Sequence, residues 1–175
     1  DTSVTDGWKF ITNGGTTSGI KLINCWGSNC GKWGDGSNST NSFPSEGRGL
    51  WVSQGSGVVS NLQITNFDAI VNRREGVYVN GAKNVFFVNA NINTNSAETT
   101  PRLDGFYINN TTKWGISESV SYCDTARFGI TSQRYGFYID TGCNEYNLIG
   151  NIAYSNLTGG ISDNGGPTKY VAGNL

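Results

Sequence analysis

One five-residue phrase recurs through the chain: a glycine, an apolar residue, an aromatic residue, a β-branched residue and a polar residue. It reads Gly49-Leu50-Trp51-Val52-Ser53, Gly76-Val77-Tyr78-Val79-Asn80, Gly105-Phe106-Tyr107-Ile108-Asn109 and Gly136-Phe137-Tyr138-Ile139-Asp140, with weaker copies at Gly7-Trp8-Lys9-Phe10 and Gly160-Ile161-Ser162. From Gly49 to Gly160 the starting glycines lie 27, 29, 31 and 24 residues apart. A period in this range signals a stacked repeat, in which each unit buries its apolar side only against its neighbours.

Composition restricts the units to strands. The apolar residues are mostly Ile, Val, Leu and aromatics, types that favour β-structure, and no long Ala/Leu/Glu/Lys stretch is present. A second apolar stretch follows each phrase: Gly19–Asn24, Asn61–Asn66, Asn84–Asn89, Trp114–Ile116 and Asn147–Ile152. Each unit is thus expected to hold at least two strands of 4–6 residues, joined by turns without helical period. Asn at the strand ends suits corners, because it tolerates left-handed backbone and bonds locally. The 175 residues correspond to one domain, and the chain, beginning at Asp1 rather than Met, reads as a piece of a longer protein.

Alternation along each strand sends Leu50/Val52, Val77/Val79, Phe106/Ile108 and Phe137/Ile139 inward, and Trp51, Tyr78, Tyr107 and Tyr138 outward. At about 4.8 Å per rung the four rings form an outer column of roughly 14 Å. Beside it runs a polar column, Ser53, Asn80, Asn109 and Asp140. Aromatic faces that pack against sugar C–H faces, flanked by amides and a carboxylate for the hydroxyls, make a saccharide platform; the competing reading is a sheet face covered by another subunit.

The residues before the phrase glycines form a third column: Asp6, Arg48, Glu75, Asp104 and Tyr135. Glu75 and Asp104 fall on successive rungs, with Arg73, Arg74 and Arg102 nearby in sequence. Paired carboxylates shift one another's pKa and suit acid and base roles in glycoside cleavage. Asp140 is the third catalytic candidate. Arg73 and Arg102 are candidates for holding an acidic sugar; neutralisation of the acids by the arginines is the structural alternative. Gly7 to Gly49 spans 42 residues, and the insert at 31–48 carries Trp33, a further candidate for substrate contact, with Asp35, Phe43 and Glu46. A second insert runs from Asn95 to Arg102. Long loops in compact repeats are often binding elements.

Other classes are disfavoured. Only 14 % of residues are charged and the net charge is −1, so no basic stripe for nucleic acid exists. No apolar run reaches the ~20 residues of a membrane span. There is no His and no CxxC pair, which argues against zinc, and Asp35 lacks the ordered acidic set of a calcium loop. No metal and no cofactor are expected. The four cysteines leave open a Cys25–Cys30 or Cys123–Cys143 disulfide, or free thiols.

The strand-turn-strand winding from Trp8 to Asn174, and above all Asn147-Leu148-Ile149-Gly150-Asn151-Ile152-Ala153-Tyr154-Ser155-Asn156 followed by Gly159-Gly160-Ile161-Ser162, resembles the right-handed single-stranded parallel β-helix of the pectate-lyase-like superfamily. About six coils of 24–31 residues are expected, with the long loop in the first. The Gly/Asn/Ser/Thr-rich coils look most like phage tailspikes and capsule depolymerases. That resemblance implies an extracellular homotrimer of the virion tail that recognises a bacterial surface polysaccharide and cleaves it as a hydrolase or lyase. The alternative is a non-catalytic glycan-binding or structural segment of a fibre or adhesin. No catalytic signature of the family is matched residue by residue.

Overall fold

The computed structural model describes residues 5–31, 46–96, 103–129 and 132–175, so the core of the long insert, with Trp33, Asp35 and Phe43, and Arg102 of the second insert lie outside the described residues. The chain is all-β, built on parallel strands. Each phrase forms one strand of a six-stranded sheet: β1 Trp8–Ile11, β3 Leu50–Ser53, β5 Val77–Asn80, β8 Phe106–Asn109, β11 Tyr135–Ile139 and β14 Gly159–Asp163. Neighbours pair in the order of the chain, and the phrases align position by position, Leu50 with Val77, Val77 with Phe106, Phe106 with Phe137.

The intervening stretches build a nine-stranded sheet from β2 Thr16–Trp26, β4 Val58–Ile70, β6 Lys83–Val88, β7 Asn91–Asn93, β9 Thr112–Ser117, β10 Val120–Tyr122, β12 Asn144–Ile149, β13 Ile152–Tyr154 and β15 Lys169–Ala172. The early half of β4 pairs with β6 and its late half with β7. The sheet therefore folds along a line at Asn66. The short strands β7, β10 and β13 go beyond the two-strand expectation; at three residues each they are too brief to stand out in a sequence. One four-residue helix, α1 Thr125–Phe128, is capped by Asp124, whose carboxylate accepts the Arg127 N–H at 3.0 Å.

The fold lines have a backbone cause. Asn24, Asn66, Asn89, Glu118, Gly150 and Gly173 all have φ between 52° and 63°, a left-handed conformation that glycine adopts without strain at the last two positions. A parallel column, Asn61, Asn84, Lys113 and Glu145, repeats the conformation where the second sheet begins. Asparagine side chains bind these corners rung to rung: Asn66 donates to Asn24 and Asn89 to Asn66, both at 2.8 Å, and Asn84 donates to Asn61 at 3.0 Å.

Between the sheets lies an apolar core. Leu50, Val52, Val77, Val79, Phe106, Ile108, Phe137 and Ile139 of the first sheet face Leu62, Ile64, Val85, Phe87, Trp114, Ile116, Tyr146 and Leu148 of the second, all buried. Each such side chain contributes about 1.5–3 kcal/mol of transfer free energy. Like side chains stack: Phe106 on Phe137 at 5.0 Å and Trp114 on Tyr146 at 4.5 Å. The phrase glycines are required by proximity. A Cβ on Gly49 would lie 2.7 Å from the Gly76 carbonyl oxygen and from Ala69 Cβ, and one on Gly105 would lie 2.1 Å from Ser121 Oγ.

A buried amide ladder closes the corner that leads into the first sheet. Asn72 Nδ2 donates to Asn95 Oδ1 at 2.7 Å, Asn95 Nδ2 to Gln133 Oε1 at 3.0 Å, and Gln133 Nε2 to Asn156 Oδ1 at 2.8 Å. The same amides satisfy backbone groups: Asn72 Nδ2 bonds the Gly27 carbonyl and Asn95 Nδ2 the Ala69 carbonyl, each at 2.8 Å. All four cysteines are free thiols, and burial pushes Cys30 up to about 12 and Cys143 up to about 11. Replacing Asn95 by Ala strips partners from Ala69, Asn72 and Gln133 at once. We expect Asn95→Ala to lower unfolding free energy by about 2–4 kcal/mol in denaturant titration; a loss within experimental error would show the ladder to be dispensable.

Candidate functional site

The aromatic phrase positions come together on the outer face of the first sheet. Trp51 pairs in register with Tyr78, Tyr78 with Tyr107, and Tyr107 with Tyr138. All four are half-buried. Tyr78 and Tyr107 stack at 5.3 Å with planes 3° apart, Tyr107 and Tyr138 at 5.4 Å and 11°, while Trp51 meets Tyr78 edge-on at 6.4 Å. The tyrosine faces are thus turned toward one another. What the column offers outward is ring edges and hydroxyls, and the face-on sugar stacking expected from the sequence is restricted to its ends.

Cations occupy those ends. The Arg48 guanidinium lies 4.4 Å from the Trp51 ring centre and 4.7 Å from that of Tyr78, with the Lys9 ammonium 4.4 Å from Trp51. The Arg134 guanidinium lies 4.5 Å from Tyr138 and 5.3 Å from Tyr135. Each contact is an attraction between positive charge and the ring quadrupole, on the order of 1 kcal/mol.

At the other side of the column stand Ser53, Asn80 and Asn109 in register, followed by Asp140. Asn110 Nδ2 lies 3.4 Å from Asn80 Oδ1. The Tyr107 hydroxyl donates to Asp140 Oδ2 at 2.6 Å, and the Thr141 N–H donates to Oδ1 at 2.7 Å. The Tyr107 bond is the main reason Asp140 sits below the usual carboxylate range. Tyr107 is pushed well above the ordinary phenol range, by burial first and then by that bond.

Glu75 and Asp104 have a different setting. Both are buried, at 3 % and 1 % exposure. Glu75 Oε2 lies 3.0 Å from Arg48 Nε and 3.3 Å from Arg74 Nε. Asp104 receives a two-point contact from Arg134, Nε to Oδ1 at 3.0 Å and Nη2 to Oδ2 at 2.7 Å, with the Tyr135 N–H also on Oδ1. Burial lifts the Asp104 carboxyl above the ordinary range against the downward pull of Arg134. These acids hold the arginines that cover the ring column. Asp140 is the half-exposed carboxylate of the three candidates.

Arg73 is placed away from this pairing: its N–H donates to the Cys30 carbonyl at 3.0 Å, and its stem packs where a Cβ on Gly47 (φ 104°) would lie 2.9 Å from Arg73 Cβ. Arg134 was not singled out by the sequence, although the signal existed: it stands two residues before its phrase glycine, as Arg74 does. Glu46, at the end of the first insert, accepts from Lys9 at 2.9 Å. Among the described residues no cluster of three or more Cys, Asp or Glu side chains is arranged to hold a metal ion, and no helix is long and apolar enough to cross a membrane.

Tyr107→Phe tests the coupling in this face. It removes the donor that favours ionised Asp140, so the Asp140 titration followed by carboxyl carbon resonance is expected to move up toward ordinary aspartate. An unmoved midpoint would mean that the bond does not hold in solution. In the native chain, the stability that this bond contributes is present above the ordinary aspartate range and is lost as pH falls through the depressed value.

Comparison with protein-family models, with curated proteins and with solved structures finds no match to this chain.

Proposed function

We propose that the chain is a segment of a right-handed parallel β-helix of the tailspike type, whose first-sheet outer face recognises a bacterial surface polysaccharide and cleaves it. Support for the winding comes from the alternation of strands between two parallel sheets and from the corners that repeat in register. The observation that carries the function is the Tyr107–Asp140 pair, set in an unbroken aromatic column and flanked by Asn80 and Asn109.

In this reading the tyrosine edges, Asn80 and Asn109 bond sugar hydroxyls. Asp140, ionised and half-exposed, acts as the base. It activates water in a hydrolase, or takes the ring proton next to a uronate in a lyase. Glu75 and Asp104 act through Arg48 and Arg134, which they orient; the homotrimer and virion-tail setting belong to the same proposal.

A second reading, a binding or structural segment without chemistry, draws on the same geometry. Tyrosine faces that satisfy one another and acids that are neutralised by arginine suit a stable surface as well as a reactive one.

The two separate in one experiment. The protein is incubated with capsular and O-antigen polysaccharides, and new reducing ends are read together with absorbance near 235 nm, the signal of an unsaturated uronate. Reducing ends alone identify hydrolysis; both signals identify elimination. Asp140→Asn is expected to lower the rate by about 100-fold or more while retaining polymer binding. Cleavage that survives Asp140→Asn unchanged removes Asp140 from the chemistry, and retention of intact polymer with no new ends favours the second reading.

A further inference from the structure

The outer face of the second sheet lies between two left-handed corners and carries two outward residues on each rung. In register these form the columns Lys21, Gln63, Phe86, Gly115, Asn147, Tyr170 and Ile23, Thr65, Val88, Ser117, Ile149, Ala172. Lys21 is the only charged residue in them. On rungs with a neighbour on both sides, Phe86, Val88 and Ile149 remain 41 %, 37 % and 39 % exposed. Gly115 lowers the face between them and leaves a cleft of about 130 Å³ bordered by Phe86, Val88, Asn147 and Ile149, room for an apolar side chain from outside. The outer face of the first sheet differs, since its rings, arginines and acids satisfy one another. Exposed apolar groups gathered on one face mark a contact surface.

The corners identify the partner. On β4 and β6 both corners are asparagine, tied rung to rung: Asn66 to Asn24 and Asn89 to Asn66 on one side, Asn84 to Asn61 on the other. On β9 both ladders stop together. Lys113 stands at one corner and Glu118 at the other, at φ 55° and 52°. Long side chains adopt this conformation at a cost that asparagine largely avoids. Both are exposed, and neither makes an ion pair or a side-chain hydrogen bond among the described residues. What they add to the rung is charge, positive at one edge of the face and negative at the other.

A rotation about an axis parallel to the stack keeps every rung at its height and brings one edge of the face to the opposite edge of the next copy. Lys113 of one copy then meets Glu118 of the next. Asn84 meets Asn89 and Glu145 meets Gly150, so no like charges are brought together, while Phe86, Val88 and Ile149 of all copies turn toward the axis and out of water.

We propose that this face is the interface between copies of the chain, set side by side with their stacks parallel and joined by Lys113–Glu118 pairs between neighbours. The pairing is the same for any number of copies around such an axis, the three of the homotrimer above included. It does not depend on the saccharide chemistry of the first sheet.

The test combines sedimentation velocity over a wide concentration range with carbodiimide coupling, which joins an amine directly to a carboxylate in contact with it. Lys113 and Glu118 lie at the two ends of one extended strand, about 16 Å apart, so an amide between them forms only between copies. The expected result is a multiple of the chain mass and, in the linked species, a Lys113–Glu118 amide. Phe86→Glu is expected to return the single-chain mass with unchanged β-sheet circular dichroism. Lys113→Glu is expected to weaken association by about tenfold or more, and adding Glu118→Lys to it to restore association. Single-chain mass at every concentration overturns the proposal, as does an assembly that lacks the amide, that is indifferent to Lys113→Glu or that the charge swap fails to restore. If Phe86→Glu does not fold, the amide and the charge swap decide, because both corner side chains face solvent in the single chain.

Discussion

Register between parallel strands is the constraint on which the structure depends. Once Leu50, Val77, Phe106 and Phe137 are aligned by the backbone ladder, every other residue is aligned with its counterpart one rung away. A corner in one rung must then be a corner in the next, because chains about 4.8 Å apart cannot diverge in direction without losing their hydrogen bonds. This is why left-handed conformations recur in columns, and why they persist where the side chain gives no help. Val71, a β-branched residue at φ 56°, adopts the conformation between the core of β4 and the amide of Asn72. Its N–H bonds the Asn93 carbonyl at 2.9 Å, and the ladder that starts one residue later fixes the direction of the chain.

The same constraint shapes the outer face. Identical residue types in register must stack on one another, and planar side chains do so face to face. Tyr78, Tyr107 and Tyr138 therefore behave as one slab. Charge is arranged around that slab in two ways: acids hold cations against its ends, and one carboxylate stands at its middle, bonded to Tyr107. Asp140 differs from Glu75 and Asp104 because its side-chain partner across the rungs is a phenol, where theirs are guanidinium groups.

Much of this was legible in the sequence, since a period-two pattern repeated in register gives both the inward and outward sets. The inward placement of Leu50/Val52 through Phe137/Ile139 and the outward column of Trp51, Tyr78, Tyr107 and Tyr138 follow from alternation alone. Ring orientation does not, because a column of aromatics is compatible with faces outward or faces inward until the packing of each χ angle is known. Nor does the identity of salt-bridge partners: Arg48 reaches Glu75 across rungs, 27 residues away, and Arg134 reaches Asp104 across 30. The short strands after the fold line carry no such pattern: Asn91-Ile92-Asn93 has one apolar residue.

The crowding at the phrase glycines bears on how such a chain can change over time. Each rung touches its neighbours through the same small set of contacts, with Gly49 pressed against Gly76 and Gly105 against Gly136. Loss of one residue inside a strand puts a side chain where only hydrogen fits, and inverts the faces of everything after it up to the next turn. Gain or loss of an entire rung keeps the strand register on either side of it and lengthens or shortens the aromatic slab by one ring. The architecture accordingly admits a change of whole rungs more readily than the loss of a single residue within one.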